Sequence, residues 1–278
     1  MALIGSLTSG VSALRTFGKS IETIGDNIAN ASTTAFKGSR TRNEDAFAQT
    51  LKSATDFNST LQIGSGVNVA SNRQNFNQGS LGSTGVATDI GIAGNGFFLV
   101  KPTSGAQFYT RDGNFHLDDG FNLVNAQGNV LQGGTGALTP TTSIPITLLG
   151  TKGGVVGASP LASFSIAEDG TITQYYEDGS SAALAAAKIT LYTFSDPTSL
   201  SRASGNLFTS TPSAGISATE ALAGIGAGTL KQGTLEQSNV DLAQEFSELI
   251  TAQRSFQAGS RIISVSDSVL EEIVNLKR

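Results

Sequence analysis

The sequence predicts an α+β fold in which N- and C-terminal helices pair as a coiled-coil-like domain, with a β-rich middle domain of antiparallel hairpins. Three observations predict it. Apolar residues near the start recur in alternating steps of four and three. Apolar residues near the end recur every seven positions. The long stretch between is cut into short apolar runs by Gly, Asn, Asp and Thr.

The first helix covers about residues 3–30. Leu7, Val11, Leu14, Gly18, Ile21, Gly25 and Ile28 form its stripe, widened by Ile4, Phe17 and Ile24. Each glycine on the stripe would cost an isolated helix about 1 kcal/mol. On a packed face it lets another helix approach closely.

The C-terminal zone, about residues 235–276, carries the strongest pattern and holds the last helix. Leu235, Leu242, Leu249, Phe256, Ile263 and Leu270 recur every seven residues without a break. Ile262, Val269 and Leu276 form a flanking row, and Phe246, Ile250, Ile273 and Val274 fill the spaces. Ser238 or Asn239 is a suitable start, with Asp241 in the first turn. The companion row Asn239, Phe246, Gln253, Ser260, Asp267 and Val274 is half polar, which suits a helix meeting several neighbours rather than one zipper partner.

Neither stripe secures a lone helix. Burying six large apolar side chains gives on the order of 10–15 kcal/mol. Ordering a helix of about 40 residues costs on the order of 40 kcal/mol in backbone entropy, partly offset by hydrogen bonds. The two stripes need each other, and the apolar surface left over marks a protein–protein contact.

The β-rich zone covers about residues 70–225. Asp112-Gly113, Asp119-Gly120, Asp169-Gly170 and Asp178-Gly179 each supply the residues of a tight hairpin turn. Residues 97–101, 171–176 and 188–194 read as strands, and 133–160 as a long surface connection. The run 182–187 is Ala-rich and too short to decide between helix and strand. The expected domains are a terminal helical domain (1–30 with 237–278), a linking region (31–70 with 226–236) and a β-rich outer domain (71–225) with no large extra outer domain.

Composition excludes several functions. Of 278 residues none is Cys and one is His, so Cys-based metal sites and disulfides are impossible. A net charge of −5 with scattered Lys and Arg argues against nucleic acid. No window of about 20 apolar residues predicts membrane insertion. The N-terminus lacks the basic start and long apolar run of a secretory signal, so export would use a route without a cleaved signal peptide.

A search for catalytic chemistry finds little. His116 reads as a surface strand residue. Asp118-Asp119, Glu168-Asp169 and Glu177-Asp178 read as turn chemistry, because the alternating oxygen ligands and distal Glu of a calcium loop are absent. The glycine clusters 91–98 and 224–228 lack dinucleotide spacing. Lys37, Arg40 and Arg42, balanced by Glu44 and Asp45, read as a solvated face. The expectation is a non-enzyme with no cofactor and no metal.

Four ordered blocks carry a resemblance. Ile24–Arg40 holds Asn27, Ile28, Ala29, Asn30, Thr34, Phe36 and Lys37, with Asp26 and Ala35 standing where Asn and Gly are usual. Asp89–Val100 contains Gly96 and Phe97, and Tyr109–Leu131 follows it. The closing segment holds Ser238, Asn239, Val240 and Asp241, then Gln253, Arg254 and Phe256. These blocks resemble the bacterial flagellar axial proteins of rod and hook.

The resemblance implies a structural subunit that self-assembles into a helical tube. The opening and closing segments look most like a short flagellar hook protein, a flexible torque-transmitting joint between rod and filament; a distal-rod protein of the basal body is the alternative. A β-rich adhesin or carbohydrate-binding module would use similar hairpins but needs no striped terminal helices. The implied location is the flagellar hook or basal body, reached by type III export. The implied partners are further copies of the chain, distal rod and hook–filament junction proteins, the hook cap and the flagellar export apparatus. The expected assembly interface is Leu7, Val11, Leu14, Ile21 and Ile28 on the first helix, with Leu242, Phe246, Leu249, Phe256, Ile263 and Leu270 on the last.

Overall fold

The computed structural model describes residues 2–46, 49–52, 61–102, 104–134, 144–150, 159–184, 188–214, 219–222 and 227–276. It is α+β, with one long helix at each end and short antiparallel strands between. No helix among the described residues is long and apolar enough to cross a membrane. The chain divides into a helical unit (Met1–Ala31, Gly38–Asn75 and Val240–Arg278) and a β unit (Ser32–Lys37 and Phe76–Asn239).

The helical unit holds α1 (Ala2–Ala29), the strands β1 (Ser39–Asp45), β2 (Gln49–Lys52), β3 (Leu61–Ile63) and β4 (Val67–Gln74), and α2 (Leu242–Leu276). β1 pairs antiparallel with β4, from Ser39 opposite Gln74 to Asp45 opposite Val67, and β2 pairs with β3. α1 ends where Asn30 turns its amide back onto the Asp26 carbonyl oxygen at 2.9 Å.

α2 starts later than the heptads predict. Asp241, not Ser238 or Asn239, is the cap: its Oδ1 accepts the amides of Ala243 and Gln244 at 2.9 and 3.3 Å. Glu245 is the acid of the first turn. Leu235, the first member of the seven-residue series, belongs to the strand Thr234–Glu236 and is buried there.

The helices run antiparallel, with Ser6 beside Ser266 and Asn27 beside Glu245. The seam is not the leucine row. On α2 the buried positions are Glu245, Ala252, Gly259 and Ser266, a series of small or polar residues with the same period of seven. A Cβ on Gly10 would lie 3.0 Å from Ile263 Cγ1, and one on Gly259 would lie 3.4 Å from Leu14 Cδ2. Close approach therefore happens at Gly10 and Gly259. Gly25 is exposed with nothing within 4 Å of its added Cβ, and Gly18 only reaches Phe256 at 4.0 Å. Because these small residues meet at the centre, the large apolar side chains are displaced to the flanks.

In the β unit the main sheet has Phe98–Lys101 between Phe108–Thr110 and Val130–Gly133. The strands Leu161–Ile166, Ile172–Tyr176 and Ser181–Ala183 form a second antiparallel sheet. The core packs Ile90, Ile92, Phe98, Phe115, Leu131 and Leu191, among others. A second cluster joins Phe97, Tyr109, Tyr192, Phe194 and Phe208 through edge-on ring contacts.

Two of the four Asp-Gly steps behave as expected. Gly170 and Gly179 take φ of +81° and +77° in the turns of the second sheet. At Asp119-Gly120 the positive φ, +59°, falls on Phe121 instead. Asp112-Gly113 closes no hairpin: the Gly113 carbonyl accepts the Ile90 amide at 3.0 Å, and a Cβ on Gly113 would strike the Ile90 oxygen.

The surface connection also needs correcting. Ile144–Pro145 pairs with Val130–Gly133, and Ile146 and Leu148 sit in the core; residues 135–143 and 151–158 lie outside the described residues. In the Ala-rich run Ser181–Ala183 is strand and Leu184 is buried, while 185–187 lie outside the described residues. The strand expected at 97 starts at Phe98, with Phe97 making a single bridge to Tyr192.

Candidate functional site

The outward faces of α1 and α2 are the candidate site. Of the residues expected at an assembly interface, Val11, Leu242, Phe246 and Phe256 are exposed, and Leu7, Leu14, Ile21, Ile28, Leu249, Ile263 and Leu270 are half-buried. None is fully covered by its own chain. α2 exposes further large apolar side chains at Ile250, Ile262, Val265, Ile273 and Val274. Ile4 and Leu276 carry side chains outside the described residues.

What holds α1 in place is a polar row that the apolar reading passed over. Ser12 Oγ accepts the Val67 amide at 3.2 Å, and Thr16 Oγ1 donates to the Val67 carbonyl at 3.1 Å. One helical turn thus satisfies both backbone groups of a strand residue. Thr23 meets Thr41 at 3.0 Å. Asn27 finishes the row: its amide nitrogen donates to the Ser39 carbonyl at 2.8 Å and to Glu245 at 3.1 Å, and its oxygen accepts the Ser39 amide at 2.8 Å. Ser12, Thr16, Thr23 and Asn27 are spaced by four, seven and four, a helical period in hydroxyls and amide that could have been read from the sequence. Replacing Asn27 with Ala strands three buried partners. The expected cost to the helical unit is about 2–3 kcal/mol, read as faster amide exchange across α1 and α2.

The other family-motif residues divide between cores and surface. Phe36 is buried under the Arg202 guanidinium, 4.8 Å from its ring centre. Gly96, with φ of +136°, bends the chain into the strand at Phe98, where a phosphate-binding loop would open a helix, and Phe97 is buried. Asn239 donates to the Asn77 carbonyl at 2.9 Å. Ser238 is half-buried, and Ala29, Gln253 and Arg254 are exposed on their helices.

Lys37 overturns the solvated-face reading. Its side chain is fully buried, donating to Glu236 Oε1 at 2.7 Å and to the Asn77 carbonyl at 2.8 Å. Arg111 Nη1 reaches Glu236 Oε2 at 3.2 Å, and the Gly79 amide bonds Oε1 at 2.8 Å. Burial pulls the Lys37 ammonium below its ordinary pKa, against the pull of Glu236. Arg40 pairs at the surface with Glu248 at 3.0 Å. No spacing signal links Lys37, Arg111 and Glu236, because they are brought together only by folding.

Beside this cluster Ala35 takes φ of +54° and its amide bonds the Glu236 carbonyl at 2.8 Å. Here Ala occupies a conformation that costs about 1–2 kcal/mol relative to glycine. Asp112 accepts from Thr34 Oγ1 at 3.3 Å and from the Asn114 amide at 3.1 Å. Burial, the larger influence, pushes its carboxyl above the usual range. A raised folded-state pKa adds stability at low pH that is lost as pH rises through it. Asp112→Asn is therefore expected to stabilise the β unit at pH 7 and to lose that advantage below the ordinary carboxylate pKa, as measured by denaturant unfolding at both pH values.

His116 is exposed on its strand. Among the described residues no group of three or more His, Cys, Asp or Glu could hold a metal ion. The glycine cluster at 224–228 falls largely outside the described residues.

Paired terminal helices with open apolar faces, in a chain whose β unit closes its own core, define a structural subunit built to contact other molecules. Comparison with known proteins gives the family. Residues 7–37 match the family described as flagella basal body rod protein, residues 91–174 the D1 domain of flagellar hook protein FlgE/F/G, and residues 231–276 the C-terminal part of flagellar basal body rod FlgEFG protein. The chain is 34% identical to flagellar basal-body rod protein FlgG of Bacillus subtilis, covering 99% of this chain and 100% of that protein. It is 32% identical to FlgG of Borreliella burgdorferi, covering 100% and 99%. Against flagellar hook protein FlgE of Escherichia coli it is 25% identical over 415 aligned positions, covering 98% and 100%. The chain belongs to the flagellar rod and hook family, the structural axial proteins of the bacterial flagellum.

Proposed function

We propose that this chain is the distal-rod subunit of the flagellar basal body, assembling with copies of itself into a rigid helical tube and taking no catalytic part. The observation that carries the reading is its end-to-end match, without large insertions, to proteins named FlgG. The hook protein aligns over 415 positions against 278 residues here, so it carries segments with no counterpart in this chain. That difference weighs against the hook reading, which rested on motifs the axial proteins share. The helical unit supplies the contacts between copies through the flanks of α1 and α2. Heterologous contacts of this kind, which do not close a ring, build an open helical array. The partners on this reading are further copies and the subunits that continue the axis on either side.

Electron microscopy of basal bodies from a strain lacking the gene tests it. Shortened rods with no hook are expected. Full-length rods lacking only the hook would return the assignment to a hook subunit.

A further inference from the structure

Helix α2 opens apolar side chains on two different sides. Its reference face is the buried row Ala252, Gly259 and Ser266, which packs on α1. Turning about 100° per residue from that row, Leu242, Phe246, Leu249 and Phe256 fall on one flank of the N-terminal half. Gln244, Ser247, Thr251 and Arg254 occupy the opposite flank there. In the C-terminal half the sides exchange. Ile262, Val265, Val269 and Ile273 take the second flank, and Ser260, Ser264, Asp267 and Glu271 take the first. Ile250 stands on the outer surface, and Val274 returns to the first flank near the end. The centres of the two apolar patches are about 19 residues apart, or ~28 Å along the helix.

We propose that the first-flank patch of one copy packs on the second-flank patch of the next copy, with the two α2 helices parallel and displaced by ~28 Å along the helix axis. This rests on the self-assembling reading above and names the surface it uses. Copies in an open helical array are related by rotation and translation, so their helices keep one direction. With that displacement Phe246 falls opposite Val265, Leu249 lies within one residue of the position opposite Val269, and Phe256 within two of the position opposite Ile273. Two different patches on opposite flanks make a contact that continues from copy to copy instead of closing on a dimer.

The area selects a second copy as occupant of an array rather than of a pair. Phe246 is 49% exposed and Val265 63%, and the other patch residues are exposed or half-buried. Eight such side chains bury roughly 700 Å² between them, below the roughly 1,200 Å² of a stable two-body interface. A single contact is weak. A copy inside an array makes two, one on each flank, and is held.

The chain has no native cysteine, so introduced pairs report cleanly. Rods are isolated from the native bacterium carrying only the F246C/V265C double variant, then oxidised. The expected result is a ladder of covalent dimers, trimers and higher multimers, because a disulfide needs Cα atoms about 4.4–6.8 Å apart. Each single variant is expected to stay monomeric. F256C/I273C, 17 residues apart and so ~3 Å off that register, is expected to give a weaker ladder. Rods that assemble from both double variants without a ladder, or a ladder from a single variant, overturn the pairing. Double variants that cannot assemble while every single variant does also overturn it. Failure of the unaltered chain to enter any rod would instead overturn the functional reading.

Discussion

Glu236→Ala is expected to lower the stability of the β unit by about 3–5 kcal/mol. The carboxylate is wholly buried and is the only anion bonded to both Lys37 and Arg111 among the described residues. Removing it leaves two buried cations without their shared anion and strands the Gly79 amide. Lys37→Met is the milder change, since Arg111 and Glu236 remain a one-to-one pair and the Met stem fills most of the Lys volume. Urea unfolding of the two variants separates them: the Glu236 variant should lose several-fold more stability. Equal losses, or a loss below 1 kcal/mol for Glu236→Ala, would mean that the charges in this cluster are not coupled as their distances require. Total unfolding of the Glu236 variant would agree with the expectation, because a cost of 5 kcal/mol can exhaust the net stability of a domain.

Phe246→Asp is expected to abolish assembly while leaving both units folded. The side chain is half open to water, so a carboxylate there costs the free chain little. In the assembled contact the same carboxylate would be buried against apolar neighbours, a cost of several kcal/mol per contact repeated at every copy. The neighbouring Ser247→Asp lies on the polar flank of the same half of α2 and is expected to assemble normally. Sedimentation and electron microscopy read the outcome. Normal tubes from Phe246→Asp would remove the first flank of α2 from the interface, whereas loss with both variants would mean that any added charge on this helix is harmful.

Some elements were legible from local pattern. The period of α1 and the heptads of α2 gave both helices within a few residues, because helical spacing is repeated many times in each. The turns at Gly170 and Gly179 were legible because an Asp-Gly pair meets a local steric demand. The motif at Asn27–Lys37 pointed to the right family, although its physical role was hidden. Asn27 works by joining Ser39 and Glu245, and Lys37 by joining Glu236, at separations of up to 218 residues. The start of α2 was misplaced because Leu235 continues the seven-residue pattern while lying in a strand. Nothing local distinguishes a leucine that packs in a sheet from one that extends a helix. The choice between hook and rod was not legible either, since the axial proteins share these motifs.

By itself the sequence determined that a striped helix stands at each end of the chain with a β-rich stretch between them in order, that metal and disulfide chemistry based on cysteine is absent, and that more apolar surface exists than one chain covers. The tertiary structure alone decided which surface that is. Gly10 and Gly259 bring the helices together over small residues, so the seam consumes little of the large apolar set and leaves it on two flanks of α2. Periodicity reports that a residue is apolar and which neighbours share its side of the helix. Which side meets the partner depends on how closely two backbones approach, and that distance is set by residues more than two hundred positions apart.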